Sequence, residues 1–231
     1  CTLPAAVNAV TTMDFLSNED LDHDGVAPDP AVCTGTLVAN RGTTQQGYVL
    51  TANHCIGTQT EASTIITWWF YRSSACNSTQ MNPNSTSVPG GATLRYNRSE
   101  TSLYAVRNSE LVVTTDGTDT SLIDLVGAPP AGVMYAGWAF QRNAINTNIN
   151  YTGLHHPLGN ILRRSDGKLT NYFVNVGNGQ GDIWTDSKYP MYEVSWTTGI
   201  TEGGSSGSGL FQDVDTVNPK VIGQLWGGES S

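Results

Sequence analysis

The sequence predicts an all-β protein. Short runs rich in valine, isoleucine, threonine, tyrosine and tryptophan recur along its 231 residues, and these residue types favour strands. Glycine, asparagine and proline stand between the runs, where they favour turns. No segment shows a helical period of useful length. Many short strands joined by turns indicate a sandwich or a pair of barrels.

The predicted strands are eleven runs dominated by β-branched, aromatic and other apolar residues. Two polar stretches between them, residues 72–91 and 141–150, are rich in asparagine, serine and threonine, so we expect exposed loops there. In chain order the strands cover residues 33–38, 47–51, 64–71, 92–96, 111–114, 121–126, 133–140, 169–176, 191–196, 209–212 and 220–226.

A proline-containing segment near the middle of the chain is the predicted boundary between two units. Residues 128–132 include Pro129 and Pro130, which stiffen the backbone and remove hydrogen-bond donors. The predicted units are therefore residues 1–128 and 129–231. The chain is long enough for two small β domains, each with its own core.

The net charge and the apolar runs of the chain argue against two classes of partner. The formal net charge is −9, and the basic surface that nucleic acid requires is not visible in the sequence. The longest apolar run, residues 65–71, is far too short to cross a bilayer. We therefore expect neither a nucleic acid nor a membrane as partner.

The four cysteines predict disulfides. Cys1, Cys33, Cys55 and Cys76 are even in number and form no C-x-x-C pair, which favours disulfides over zinc. Three pairings exist, and Cys33–Cys55 is favoured because two short strands separate the two residues and Cys55 adjoins His54. Cys1–Cys76 then remains. Disulfides persist outside the reducing cytosol, so we expect a secreted, extracellular protein.

Three short segments predict a catalytic triad. His54 stands beside Cys55, Asp119 leads into an apolar strand, and Ser206 lies within Glu202-Gly203-Gly204-Ser205-Ser206-Gly207-Ser208-Gly209. Singly, these are an ordinary packed histidine, a turn aspartate and a flexible glycine-rich loop. Their order along the chain is one in which Ser-His-Asp triads occur, and the ordinary interpretations do not explain that order.

The residue types fit the chemistry of such a triad. Serine is a poor nucleophile at neutral pH, so Ser206 needs His54 as the base that takes its proton. Asp119 would fix the imidazole tautomer and stabilise the imidazolium. The backbone N–H groups of Gly204 and Ser206 are the predicted oxyanion hole, and the flanking glycines permit the tight turn.

The chain resembles the trypsin-like (chymotrypsin-fold) serine endopeptidases, and among them the secreted bacterial lysyl endopeptidases most closely. The resemblance implies two antiparallel six-stranded β-barrels with the active site in the cleft between them. It also implies the bridges Cys33–Cys55 and Cys1–Cys76. The matching segments are CTGTLV at 33–38, LTANHC at 50–55, DTSLIDL at 119–125, AGW at 136–138, HHP at 155–157, GITE at 199–202, GSSGS at 204–208 and VIGQLWGG at 221–228.

The same resemblance implies substrate-binding residues. Leu225, Trp226 and Gly227 fall where the family's edge strand pairs with the substrate backbone, which is strand addition. Thr201 and Glu202 fall at the floor of the primary specificity pocket. Glu202 either lies in that pocket and favours lysine or arginine, or is a solvated loop carboxylate.

Several positions depart from the family pattern. Ser205 replaces an aspartate that pairs, in pancreatic-type members, with a freed N-terminal amine, so that activation switch is not expected. Trp226 and Val176 replace a histidine and a tryptophan that stack near the lysine pocket of the lysyl endopeptidases. Relatives continue through another wall strand and a helix, so we expect a second polypeptide to complete the C-terminal barrel.

The expected function is that of a serine endopeptidase that cuts proteins or peptides through an acyl-enzyme, after a basic residue and without a required cofactor. Three alternatives stay open. They are an inactive binding module on the same fold, a protease that prefers a non-basic residue, and an esterase, although an edge strand suits a peptide better.

Two further features contain residue types that can bind metals. Asp20, Asp22 and Asp24 alternate as in the first half of a calcium loop, with Asp29 as a further ligand, but the loop lacks the expected final glutamate. The alternative is an acidic surface turn. His155 and His156 are adjacent, so on a strand they point to opposite faces and do not share an ion. We interpret these two histidines as structural.

Overall fold

The computed structural model of the chain describes residues 3–76, 78–97, 119–139, 148–173 and 191–228. Its strands form two sheets, which confirms the predicted all-β class. The first sheet contains β1 Val10–Ser17, β2 Asp29–Leu37, β3 Tyr48–Ala52, β4 Ile66–Trp69, β5 Thr86–Val88, β6 Ala92–Asn97 and β7 Thr120–Leu125. The second contains β8 Gly137–Trp138, β9 Tyr151–His155, β10 Arg163–Phe173, β11 Met191–Thr198, β12 Gly209–Gln212 and β13 Lys220–Gln224.

Most neighbouring strands in both sheets are antiparallel. The order in the first sheet is β5-β4-β1-β2-β3-β7-β6, and in the second β11-β10-β9-β12-β13-β8. β1 and β2 pair along their whole length, from Val10 opposite Thr36 to Ser17 opposite Asp29. The β8–β13 pair is parallel and short. The described part of the first sheet has seven strands where the resemblance implied six, whereas the second sheet has six.

Some of these elements were not predicted, for physical reasons. Six of the eight residues of β1 and all five residues of β9 are buried, so neither strand shows the sustained polar alternation that reveals a half-exposed strand. A single helical turn, α1 Gln59–Ser63, is too short to show a period. Its capping box joins Thr58 and Glu61. The predicted strand at 111–114 lies outside the described residues.

The buried apolar residues form three clusters. One lies within the first sheet and includes Met13, Leu37, Ile56, Trp69 and Ile123. A small third cluster contains Tyr151, Leu169 and Leu210. The second cluster joins the start of the chain to the second sheet, through Ala6, Val7, Ala9 and Val10 packed with Ala136, Leu154, Phe211, Val214 and Val221.

The second cluster bears on the proposed division of the chain. Residues 6–10 belong to the first predicted unit in sequence, yet they pack into the core of the second sheet. The boundary at residues 128 and 129 stays a prediction. In the described part of the second sheet β11 and β8 are the edge strands, and the second polypeptide predicted to complete this barrel also stays a prediction.

The Cys33–Cys55 disulfide is confirmed. It joins β2 to the turn after β3, with Cα atoms 6.3 Å apart. Cys76 is also disulfide-bonded, while Cys1, its predicted partner, lies outside the described residues. None of the described helices is long and apolar enough to cross a membrane.

Candidate active site

Two strand ends bring His54 and Asp119 together. β3 and β7 are antiparallel neighbours with Ala52 opposite Thr120, so the turn after β3 meets the residue before β7. The Nδ1 atom of His54 lies 2.6 Å from Oδ2 of Asp119, and the backbone N–H of His54 donates to Oδ1 at 2.7 Å. A carboxylate only accepts, so Nδ1 carries the proton and Nε2 keeps its lone pair.

Exposure differs between the two partners in a way that suits a base and its orienting acid. The His54 side chain is 42% exposed, whereas that of Asp119 is 16% exposed. The imidazole therefore remains accessible, and the carboxylate that holds it is shielded. These contacts can hold the imidazole in one tautomer and stabilise it when it gains a proton.

The backbone of Asp119 is held from both sheets. Asp119 has φ +48, in the left-handed region that residues with a Cβ rarely adopt. Its carbonyl accepts from the N–H of Asn53 at 2.9 Å and from the side-chain amide of Gln224 at 2.7 Å. Gln224 belongs to β13, so the second sheet helps to position a residue of the first.

Ser206 lies in a tight turn just before β12. Gly204 and Gly207 on either side of it both have φ +80. A Cβ atom at Gly207 would overlap the Thr51 side chain and lie 2.5 Å from the Thr34 carbonyl oxygen, so only glycine fits. Within the described ranges, the N–H groups of Gly204 and Ser206 donate to no intrachain acceptor, and both residues are half-buried. Because these two N–H groups are not already bonded, they could donate to an oxyanion.

Thr34 of β2 holds this turn against the first sheet. Its N–H donates to the Ser206 carbonyl at 2.9 Å, and its hydroxyl donates to the Gly204 carbonyl at 2.9 Å. The same hydroxyl oxygen accepts from the N–H of His156 at 3.0 Å. Thr34 follows Cys33, whose disulfide leads to Cys55 and so to the neighbouring His54. One short stretch of β2 therefore joins the two halves of the site.

The predicted substrate-binding residues differ in their surroundings. Both backbone groups of Leu225 bind the turn around Ser206, since its N–H donates to the Ser208 carbonyl and its carbonyl accepts from the N–H of Gly207. Gly227 is exposed with open space beside it. Glu202 is exposed and Thr201 half-buried. Val176, which stands where the lysyl endopeptidases have a tryptophan, lies outside the described residues.

A comparison with known protein families gives the same assignment. A family model described as the C-terminal domain of lysyl endopeptidase matches residues 25–231. The chain belongs to this family. The lysyl endopeptidase of Pseudomonas aeruginosa is 30% identical over 227 residues, which are 97% of this chain and 42% of that protein. The chain thus spans less than half of that relative's length.

Solved structures share the fold of this lysyl endopeptidase family member. The active form of the Rv3671c protease of M. tuberculosis has a TM-score of 0.54 at 15% identity, over 97% of this chain and 72% of that one. A scabies mite inactivated protease paralogue has a TM-score of 0.55 at 14% identity, over 95% and 83%. The HtrA-type protease AlgW with a tripeptide has 0.52 at 14%, over 92% and 50%. At these identities the similarity establishes the trypsin-like fold and nothing beyond it.

Two buried histidines lie behind the turn around Ser206. His155 and His156 are 0% and 1% exposed. Burial, together with the nearby Arg163 cation, lowers the pKa of His155 to about 4. Burial also lowers the pKa of His156 to about 4, against the opposing effect of its hydrogen bond to the Asn160 carbonyl. Both imidazoles are therefore neutral at pH 7, as expected of structural residues rather than of a base.

The acidic turn has a different arrangement from the predicted one. Carboxylate oxygens of Asp20, Asp22 and Asp29 lie within 4.8 Å of one another. Asp24, the third predicted ligand, instead accepts from the N–H of Val26 at 2.8 Å. Backbone N–H groups already bind the carboxylates of Asp20 and Asp29. A calcium ion at Asp20, Asp22 and Asp24 stays a prediction.

Sequence reasoning missed two residues of the site, Thr34 and Gln224. Their partners are 170 and 105 residues away along the chain, so no local pattern signals the contacts. Thr34 at least lies within the segment that resembles the family, directly after Cys33. Gln224 has the same kind of signal, since it directly precedes the predicted substrate strand.

We expect Thr34→Val to slow the chemistry of the site. The change keeps the side-chain shape and the N–H bond to Ser206 but removes the hydroxyl that binds Gly204 and His156. Losing both bonds should cost about 1–3 kcal/mol of unfolding free energy. Labelling by a fluorophosphonate should slow by about tenfold, the rate equivalent of about 1.4 kcal/mol. Thr12→Val, a buried change on neighbouring β1, is the control, and equal effects of the two variants would contradict the role of Thr34.

We expect stability to fall as the pH drops from about 6.5 to about 4. In that window the two imidazoles take up protons in the unfolded chain but stay neutral in the folded chain. Protonation therefore stabilises the unfolded state relative to the folded state. Each histidine contributes on the order of 3 kcal/mol, fully present above pH 6.5 and lost by pH 4. Urea unfolding at stepped pH measures the total. Imidazole NMR resonances of His155 and His156 that titrate above pH 5.5 would contradict it.

Proposed function

We propose that this chain is the catalytic domain of a secreted serine endopeptidase, with Ser206 as nucleophile, His54 as base and Asp119 as its orienting acid. The observation that carries the proposal is the His54–Asp119 contact of 2.6 Å, in an accessible position joined through Cys55, Cys33 and Thr34 to the Ser206 turn. Membership of the lysyl endopeptidase family supports the same reaction.

In the proposed first step, Nε2 of His54 takes the hydroxyl proton of Ser206 as Oγ attacks the scissile carbonyl carbon. The carbonyl oxygen becomes an oxyanion that accepts from the N–H groups of Gly204 and Ser206. Each such donor is worth about 3 kcal/mol in the transition state. Asp119 stabilises the imidazolium formed at the same time.

The proposed intermediate then breaks down in two stages. His54 gives its proton to the amine nitrogen, the C–N bond breaks, and an acyl-enzyme ester remains on Ser206. Water attacks this ester with His54 again as base, releasing the carboxylic acid product and returning the proton to Oγ. The sequence of steps consumes one water and needs no metal or organic cofactor, so a calcium ion at the acidic turn would be structural.

The proposed substrate is an extended peptide with a basic residue before the scissile bond. Trp226 and Gly227 follow Leu225 beyond the end of β13, and the open space at Gly227 leaves room for a substrate strand to pair there. Leu225 supports this edge from behind by binding Gly207 and Ser208. The exposed carboxylate of Glu202, four residues before Ser206, favours a cation nearby. The Cys33–Cys55 disulfide supports an oxidising, extracellular location.

A fluorophosphonate should label Ser206 of the wild-type chain. Ser206→Ala should abolish labelling and lower peptide hydrolysis by roughly 10⁶-fold, because the triad acts as a unit. Ser208→Ala, a buried serine two residues on, is the control and should still be labelled. Intact-mass analysis without reductant reads the label and any disulfide-linked second polypeptide together. A folded chain that takes no label would favour the inactive binding module.

Peptides that differ only in the residue before the scissile bond should reveal a preference for lysine or arginine. Glu202→Gln should lower kcat/KM for these peptides by about tenfold, the equivalent of about 1.4 kcal/mol, and leave apolar peptides unchanged. Glu19→Gln, which removes an exposed carboxylate from the acidic turn, is the matched control. Preferred cleavage after apolar or acidic residues would contradict the basic specificity.

A further inference from the structure

His155 lies between two serine hydroxyls in the interior of the second sheet. It ends β9, and its Nδ1 lies 2.8 Å from Oγ of Ser205 while its Nε2 lies 2.9 Å from Oγ of Ser165 on β10. All three side chains are at most 1% exposed. The proposed triad uses none of them, although Ser205 directly precedes Ser206.

The hydrogen-bond directions in this group follow from its two ends. The Ser165 hydroxyl donates to the Ile200 carbonyl at 3.0 Å, because a carbonyl only accepts. Its oxygen must therefore accept from His155, which places the proton on Nε2. Nδ1 is then an acceptor and receives the Ser205 hydroxyl. The Ser205 oxygen in turn accepts from the N–H of Glu202 at 3.2 Å. Every donor in the group has one acceptor.

This chain of bonds starts and ends on the same short segment. It leaves at the N–H of Glu202 and returns at the carbonyl of Ile200, so the imidazole clamps residues 200–205 to β9 and β10. Backbone bonds tighten the same turn, since Ser205 N–H donates to the Glu202 carbonyl at 3.0 Å. The clamped segment contains Gly204 and leads directly into Ser206, and the N–H groups of both have no acceptor among the described residues.

The residues that follow β9 also contact the turn, at Gly203 and Gly204. The N–H of Leu158 donates to the Gly203 carbonyl at 2.6 Å. A Cβ atom at Gly204 would lie 3.0 Å from the His156 carbonyl oxygen and 3.1 Å from Leu158 N, so the backbones approach closely there. A displacement of residues 200–205 would therefore redirect the N–H groups of both Gly204 and Ser206.

We propose that His155 is a positioning residue of the active site, which acts through Ser205 and Ser165 to aim the N–H groups of Gly204 and Ser206 at the oxyanion. The proposal rests on the function proposed above. His155 is not a second base, because it is fully buried and both ring nitrogens are occupied. Its neutrality is part of the arrangement: a proton on Nδ1 would leave the Ser205 hydroxyl without its acceptor.

Ser205→Ala tests the clamp by removing one hydroxyl. We expect kcat for peptide hydrolysis and the fluorophosphonate labelling rate to fall by about 10- to 100-fold with KM within twofold, because donors to the oxyanion act in the transition state. Ser165→Ala should have a similar effect, and the double variant should lose little more, since both bonds belong to one chain. Ser17→Ala, which removes a buried hydroxyl that accepts from Glu19 N–H in the first sheet, is the matched control. If kcat is unchanged in Ser205→Ala while the wild-type chain still takes the label, the positioning role of His155 is overturned and the proposed function is not.

Two readouts test the clamp without activity. Nitrogen NMR of the wild-type imidazoles at pH 7 should show His155 protonated on Nε2 and unprotonated on Nδ1, and the opposite tautomer would overturn the proposal. Amide hydrogen exchange at positions 202 and 205, whose N–H groups are bonded within the clamped segment, should be at least tenfold faster in Ser205→Ala and unchanged in Ser17→Ala. A wild-type chain that takes no label would instead refute the proposed function, and with it the catalytic role of the clamp.

Discussion

The attachment of the turn around Ser206 to β2 is the constraint on which the site depends. Thr34 binds the carbonyls of Ser206 and Gly204 and receives the N–H of His156, so one residue of the first sheet orients a turn of the second. The neighbouring Cys33 carries the covalent link to Cys55 and hence to His54. Hydrogen bonds with buried partners are costly to leave unmade, so each of these contacts restricts the relative position of the two sheets.

Three residues at or beside the proposed triad have left-handed backbone conformations. Asp119 adopts a left-handed conformation, and Gly204 and Gly207 take the same region on either side of Ser206. A residue with a Cβ pays for this conformation with about 1 kcal/mol or more, and the surrounding hydrogen bonds must hold it in place. At Asp119 these come from Asn53 in its own sheet and Gln224 in the other. Contact between the two sheets therefore helps to stabilise the left-handed conformation of Asp119.

The interior behind the turn is polar but uncharged. Serine hydroxyls and a neutral imidazole satisfy each other around His155, which avoids the large desolvation cost of a buried ion pair. Burial and the Arg163 cation keep the imidazole in that neutral state. Ser205 directly precedes Ser206, and the group that meets its hydroxyl is the imidazole of His155.

Local patterns in the sequence determined the all-β class, the family and the Cys33–Cys55 disulfide, because strand-forming runs, turn glycines and the cysteine beside His54 each act over a few residues. The candidate triad segments were also visible locally, as was the order in which they occur. Tertiary structure alone decided the rest. All of β9 is buried, and β1 is buried except at Asp14 and Leu16, so neither strand shows sustained alternation in the sequence. Asp29 rather than Asp24 joins Asp20 and Asp22. The contacts of Thr34 with Gly204, of Gln224 with Asp119 and of His155 with Ser205 join residues 170, 105 and 50 positions apart. The packing of the two sheets brings the first two pairs within hydrogen-bond distance, and the pairing of β9 with β12 inside the second sheet does so for the third, so no local pattern could signal any of them.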